Sequence, residues 1–487
     1  MTYGTSINDD LGAGGLENVV VAQTDASGAT VLVGADGNVI HPTLAYSRSI
    51  LLVGDSIMAD STYRQAGTYG DVLMQRSFGF FGFANKLLKQ RFTRIINNAV
   101  GGSQAVQWVA GSAADRNLTT QIADVNAAYC LIEIGTNDIG AAGRTAAQVL
   151  ADIYTIWQAA HNSGKHTTVC TIAPRRTGGG SNFTAAQQKT LALVNAGLMK
   201  YAATVDGFHL IDIAPSITDY TVGAYESPAT TNRVLYDDIH FNNRAAYLVG
   251  KKIKTHYDAL VPVFDAGASA YLDDSTSDAT NKNLLNCGLM QGTLGLGRPT
   301  GWNVPSAAGG LTATITETVV TAPDSVGNGY QFDINATAAT GTGGFVRTYA
   351  IWDNTTAPLV AGDTVFAEVY FKIEGINGSG TPVNINTPRL QLQLAAGASP
   401  AYSSDGEEGT STGTMAALPS ENFEGVLRTA PYVYQGTEAA SLNTTLWLNM
   451  YFFGVGSCRV TFWRARVMKN DDYYTPFGTI DHTFPWQ

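Results

Sequence analysis

The stretch 50-ILLVGDSIMAD-60 decides the fold. Its apolar residues run without a polar alternate up to Gly54, and Ser56 follows at once, which fits a strand covered on both faces that delivers a hydroxyl at its carboxyl end. Working outward, similar runs recur at 94-RIINNA-99, 129-YCLIEIG-135, 167-TTVCTIAP-174 and 208-FHLIDI-213. Between them, Val149, Ile153, Ile156, Trp157 and Ala160 fall at helical spacing before a stop at Gly164, and Leu191, Val194, Leu198 and Tyr201 repeat that spacing. Apolar strands alternating with amphipathic helices predict an α/β fold, a parallel sheet covered by helices on both faces. In such sheets ligands bind at the carboxyl ends of the strands, so chemistry is expected there.

Both flanks of this region read differently. Residues 1–47 hold short β-like runs, 18-NVVVAQ-23 and 30-TVLVGADGNVI-40, with a turn signal at Asp36-Gly37. Residues 48–262 carry the α/β pattern. From 266 to 487 the period becomes two: in 364-TVFAEVYFKIE-374, Val365, Ala367, Val369, Phe371 and Ile373 share a face, and 389-RLQLQL-394 alternates likewise. No helical pattern interrupts it, which predicts an antiparallel β-sandwich, with 400-PAYSSDGEEGTSTGT-414 as a long polar loop.

Composition narrows the classes. The 487 residues carry a net charge of -11, and residues 266–487 hold 19 acidic against 10 basic side chains, which disfavours a nucleic-acid partner. No apolar run approaches the roughly 20 residues of a membrane span. The opening MTYGTSINDD has neither a basic nor an apolar segment, so no signal peptide is visible. Four cysteines in no CxxC or CxxH spacing do not describe structural zinc; Cys130 and Cys170 read as buried thiols, while Cys287 and Cys458 stand near the two ends of the β-rich region and are open to pairing.

The chemistry gathers at the predicted strand ends. After the first strand comes Ser56; after the second, 97-NNAVGGSQ-104 places Gly102 where backbone can approach a ligand and offer an N–H; after the third comes 134-IGTND-138; beyond the fifth lies 236-YDDIHFNNRAAYLVGKKI-253. A serine hydroxyl needs an adjacent base, and a developing oxyanion needs preorganised donors. An aspartate three residues before a histidine suits a carboxylate contact to Nδ1 that leaves Nε2 free. Both Asp237 and Asp238 are candidates. Gly409-Thr410-Ser411-Thr412-Gly413 also fits a hydrolase pattern, but it stands in the polar loop without the strand and helix that pattern needs. His161, His166 and His209 read as structural or exposed, and Asp55, Asp138 and Asp212 as loop supports.

In their order, G-D-S, a loop glycine, G-x-N-D and D-x-x-H, these blocks resemble the SGNH (GDSL-like) hydrolase family over about residues 48–260. The resemblance implies a three-layer SGNH-type fold with a five-stranded parallel sheet. It implies Ser56 as nucleophile, His240 as base and Asp237, by the family's spacing, as the residue that orients the imidazole. Its oxyanion donors would be the N–H groups of Ser56 and Gly102 and the side-chain amide of Asn137. Neither a metal nor an organic cofactor is implied. Two positions depart from the pattern: Phe241 where a proline often follows the histidine, and Asp238 where a glycine often follows the aspartate. Both bear on the turn before the last helix, capped by Asn242 or Asn243, with Ala246, Val249, Ile253 and Tyr257 on its inner face.

The β-rich region loosely resembles a jelly-roll carbohydrate-binding module, in 283-NLLNCGLMQGTLGLGRPTGW-302 as an opening strand and 460-VTFWRARVMKN-470 as a closing one. Trp302, Trp352, Trp447 and Trp463 are then candidates for a sugar-stacking platform, against a core role. The resulting expectation is a serine carboxylic-ester hydrolase that removes acetyl groups from a polysaccharide. Its alternatives are a short-chain esterase or lipase with a structural sandwich, and a phage-tail or other surface glycan-binding protein bearing a deacetylase. Action outside the cell, secreted or virion-borne, goes with this reading. Since every block lies between Gly54 and His240, the α/β part is expected to build its site without the sandwich.

Overall fold

The computed structural model describes residues 19–24, 30–34, 39–40 and 48–469, apart from 62, 66–71, 76–78, 141–142, 177–179, 223–232, 262–282, 284, 286, 342, 352–358, 394–401, 406–415 and 435–444. Strands β1 (Val19–Thr24), β2 (Thr30–Gly34) and β3 (Val39–Ile40) form an antiparallel meander. The Asp36-Gly37 turn lies outside the described residues, as do the Gly409–Gly413 pattern and Trp352.

The α/β part contains β4 (Ser49–Gly54), β5 (Tyr63–Gln65), β6 (Val72–Gln75), β7 (Arg94–Asn97), β8 (Tyr129–Glu133), β9 (His166–Cys170) and β10 (His209–Ile211). Its helices are α1 (Ser56–Ala59), α2 (Phe80–Leu87), α3 (Ala105–Ala110), α4 (Thr136–Gly140), α5 (Ala146–Asn162), α6 (Ala185–Thr204) and α7 (Asn243–Tyr257). Five strands pair in parallel in the order β10-β9-β8-β4-β7. Alternate residues of β4 feed the two faces. Ile50 and Leu52 pack with Phe80, Val249 and Ile253 of α2 and α7, while Leu51 and Val53 pack with Ile153, Ile156 and Leu191 of α5 and α6. That is why the run shows no polar alternate: neither face meets water. Both long helices open with capping boxes, at Thr145 with Gln148 and at Thr184 with Gln187.

The second part is antiparallel: β11 (Ser306–Ala308), β12 (Leu311–Thr321), β13 (Asn328–Ala339), β14 (Phe345–Ile351), β15 (Thr364–Glu374), β16 (Val383–Gln393), β17 (Tyr402–Asp405), β18 (Phe423–Arg428), β19 (Tyr432–Val433) and β20 (Thr445–Lys469). The 25-residue β20 joins the layers. Its first part pairs with β14 and β16, its second with β13 and β15, and between them Gly454 takes a φ of 92° that a side chain would resist. Several local readings change. The described residues of 283–302 form turns and irregular chain rather than an opening strand, and Tyr402–Asp405 is a strand within the expected loop. On β15 both faces are covered, because Glu368 is buried between Arg428 and Arg466. Trp302 and Trp463 lie in the interior, which removes them from any surface platform. All four cysteines are buried, and Cys287 and Cys458 are not joined by a disulfide. Among the described residues no helix is long and apolar enough to cross a membrane.

The two parts share more than a linker. β6 pairs in parallel with β17, and β5 pairs with β6, so the stretch after Ser56 extends the sandwich's own sheet. From the other side, fully buried Asn243 donates from Nδ2 to Asn386 Oδ1 (2.6 Å) and Ala416 O (2.8 Å), and its Oδ1 accepts from Ala416 N (2.6 Å). Arg244 donates to Ala417 O, Gln90 donates to Val426 O, and one apolar cluster runs from Ile50 to Val467. These contacts fall on α7 and on the chain after α1, the elements that flank the predicted site, while Ser56, Asp237 and His240 all stand in the α/β part.

Losing three hydrogen bonds at a buried position is costly, because the partners stay dry and unpaired. Asn243→Ala should lower stability by about 2–3 kcal/mol in urea unfolding. Wild-type unfolding should follow one transition by far-ultraviolet dichroism and tryptophan fluorescence, as a shared core requires.

Candidate active site

Strand β4 can end where it does only because residue 54 is glycine: a Cβ there would overlap the carbonyl oxygen of Glu133 on β8 and stand 2.6 Å from Met58 Cβ. The chain then turns at Asp55, whose side chain accepts from Ile57 N at 3.0 Å and caps α1. Ser56 is the first residue of that helix, so its hydroxyl is half-exposed at the sheet's carboxyl edge.

The facing loop is a narrow turn. Tyr236 N donates to His240 O, Asn242 N donates to Val234 O, and Arg233 donates to the carbonyls of Leu235 and Tyr236. Asn242 closes it by accepting from Arg244 N and Ala245 N, so it is the cap of α7, leaving Asn243 free to hold the sandwich. The Tyr236 ring stacks on the imidazole at 5.6 Å and 18°.

Across 184 positions of chain, His240 Nε2 stands 2.8 Å from Ser56 Oγ, and His240 Nδ1 stands 2.7 Å from Asp237 Oδ2. Asp237 Oδ1 also accepts from the N–H groups of Ile239 and His240, both at 2.7 Å. Partial burial opposes its charge, but the bonds from His240 and these backbone N–H groups hold its carboxyl down to about 2. A carboxylate fixed at Nδ1 selects the tautomer with a proton there and a lone pair toward serine. Asp238 points elsewhere: it pairs with Arg176 at 2.6 Å and accepts from Ser181 N at 3.0 Å.

Residues 52–247 match the GDSL-like Lipase/Acylhydrolase family. This part of the chain is a GDSL-like acylhydrolase domain, and the protein is a hydrolytic enzyme. No curated protein matches the sequence. Among solved structures the chain is similar to TesA, at 19% identity over 44% of this chain and 99% of that one, with a TM-score of 0.32. It is also similar to a GDSL-like lipase from Bacteroides thetaiotaomicron (12%, 44% and 88%, TM-score 0.32) and to a carbohydrate esterase family 3 protein from Talaromyces cellulolyticus (14%, 44% and 97%, TM-score 0.31).

In the GDSL-like domain the remaining predicted residues follow β7 and β8, Gly102 on a loop and Asn137 in α4. Gly102 is exposed with a φ of 74°. Asn137 donates one amide hydrogen to Ser103 O at 3.1 Å, which ties it to the glycine loop and leaves its second hydrogen for a ligand. Ser103 Oγ donates to Gly54 O, and Asp138 accepts from Ala105 N while pairing with Arg144, so the two loops and the end of β4 are mutually braced. Asp212 accepts from Thr171 Oγ1. His166 and His209 begin their strands, at the sheet's amino edge, where their rings stack 4.2 Å apart; His161 stacks on Trp157. Among the described residues, no three His, Cys, Asp or Glu side chains are placed to hold a metal ion.

Sequence reasoning passed over Arg175. It is buried, donates to Thr136 Oγ1 and O and to Ser181 O, and lies 4.5 Å over the Phe183 ring, bracing the strand end that carries Asn137. Its position just after the Pro174 that ends the fourth apolar run was the available signal.

Glu133 was also passed over, and with Asp55, which the sequence reads as a loop support, it forms a pair of carboxyls beneath the nucleophile. Asp55 and Glu133 are fully buried, and among the described residues Asp55 Oδ2 and both Glu133 oxygens have no hydrogen-bond partner. Burial lifts Asp55 to about 7, against the pull of the Ile57 N–H and His240; burial and the neighbouring Asp55 drive Glu133 well above the usual carboxylate range. Both groups take up protons on folding, so their contribution is full below the unfolded value near 4 and is lost as pH rises through about 7 and beyond. Glu133→Gln removes one of these titrations at nearly constant shape. Its melting temperature should gain on wild type steadily between about pH 5 and 8. A pH-independent difference would show that Glu133 is charged in the fold.

Proposed function

We propose that the protein is a serine carboxylic-ester hydrolase that removes acetyl groups from a polysaccharide. The observation that carries the catalytic part is the continuous hydrogen-bonded chain Ser56–His240–Asp237 at the carboxyl edge of the sheet, with Gly102 and Asn137 on the adjoining loops. In this reading Ser56 Oγ attacks the ester carbonyl carbon while His240 Nε2 takes the hydroxyl proton, and Asp237 balances the imidazolium. The carbonyl oxygen, now anionic, is met by the N–H groups of Ser56 and Gly102 and by Asn137 Nδ2. Collapse breaks the bond to the sugar oxygen, which leaves as an alcohol with the proton from His240. Water then attacks the acyl-serine with His240 again as base, releasing acetate and restoring Ser56.

The carbohydrate part is supported by the sandwich, which is joined to the catalytic region through a shared sheet and the Asn243 bonds rather than hung on a linker. A short-chain esterase with a purely structural sandwich would instead prefer small synthetic esters to any acetylated polymer.

Ser56→Ala should abolish hydrolysis of p-nitrophenyl acetate and labelling by a fluorophosphonate probe in a folded protein. Persistent labelling would place the nucleophile elsewhere. Asn137→Ala should lower kcat by roughly 10²–10³ with little change in KM, since a donor aimed at the oxyanion acts chiefly in the transition state. A rise in KM alone would make Asn137 a substrate-binding residue.

A further inference from the structure

Strands β14, β20 and β16 lie side by side, and their register aligns side chains in rows. Phe345 stands opposite Tyr451, Arg347 opposite Asn449, and Tyr349 opposite Trp447. The alternate residues Val346, Thr348 and Leu448 are buried, so these rows belong to the sheet's other face. Phe345, Arg347, Tyr349 and Trp447 are half-exposed on it.

This face is organised beyond what sheet stability asks. The Trp447 indole donates from Nε1 to Gln393 Oε1 at 3.1 Å, and its ring lies 4.5 Å from that of Tyr349. The Arg347 guanidinium lies between two rings, 4.7 Å from Trp447 and 5.7 Å from Phe345, and forms no ion pair among the described residues. Opposite Arg347 stands Asn449, only 4% exposed, whose Nδ2 has no hydrogen-bond partner among the described residues. An unmet buried amide is costly, and a ligand that accepts from it recovers that cost.

We infer that this face is a glycan-binding site, with Trp447, Tyr349 and Phe345 taking the apolar C–H faces of sugar rings and Arg347 and Asn449 donating to their oxygens. Aromatic faces beside fixed planar donors match a molecule with one apolar face and a polar rim. Its place in the sheet gives it a use. From β16 the sheet continues through β17 and β6 to β5, three strand spacings or about 14 Å, and β5 begins at Tyr63, shortly after the Ser56 helix. A polymer held here would be tethered near the nucleophile, raising its local concentration there.

The ligand class rests on the function proposed above, so the test separates binding from hydrolysis. Full-length Ser56→Ala protein is run through native gels containing acetylated xylan, acetylated polygalacturonate or partly N-acetylated chitosan. Retardation by at least one polymer is expected, weakened about tenfold or more by Trp447→Ala and by Arg347→Ala and largely kept by Trp447→Phe. With Ser56 intact, Trp447→Ala should hydrolyse p-nitrophenyl acetate at the wild-type rate yet lose most activity on the retarding polymer. Melting temperatures check that each variant is folded. No retardation by any polymer overturns the inference, as does retardation equal in Trp447→Ala and its parent. Retardation without hydrolysis of any ester would keep this site and overturn the esterase reading.

Discussion

The close approach of Gly54 to Glu133 is the constraint on which the site depends. With no side chain at residue 54, β4 and β8 end at one level, and the two loops that leave them emerge side by side. One carries Ser56, the other Asn137, and Ser103 binds both by donating to Gly54 O and accepting from Asn137. The reacting groups therefore stand on strand ends, whose positions are set by a buried ladder rather than by loop conformation.

The histidine arrives differently. Its loop is shaped by its own backbone bonds and by Arg233, and the helix that follows is fixed from outside by the sandwich. The first residue of α7 and the chain after α1 both contact the second part of the molecule.

Beneath the serine, the fold keeps two carboxyls dry. Asp55 is needed as the cap of α1, while the Glu133 carboxyl has no hydrogen-bond partner among the described residues and is better kept protonated. Burial of a charge costs more than burial of a neutral acid, so the proton is held where solvent cannot reach it.

Local sequence determined the alternation of buried strands and helices, the two-residue period after about residue 266, and which serine and asparagine follow strand ends and which histidine precedes the last helix. These are patterns of near neighbours, set by helical and strand geometry. The choice between Asp237 and Asp238 was open in residue types, and geometry separated them: one carboxylate turns back to the ring while Arg176 draws the other away. Only the tertiary structure decided that β5 and β6 belong to the sandwich's sheet, that Asn243 holds the sandwich while Asn242 caps, and that Trp302 and Trp463 are core whereas Trp447 is not. Those outcomes turn on pairings between segments hundreds of residues apart, and periodicity shows that a strand has two faces without showing what each face will meet.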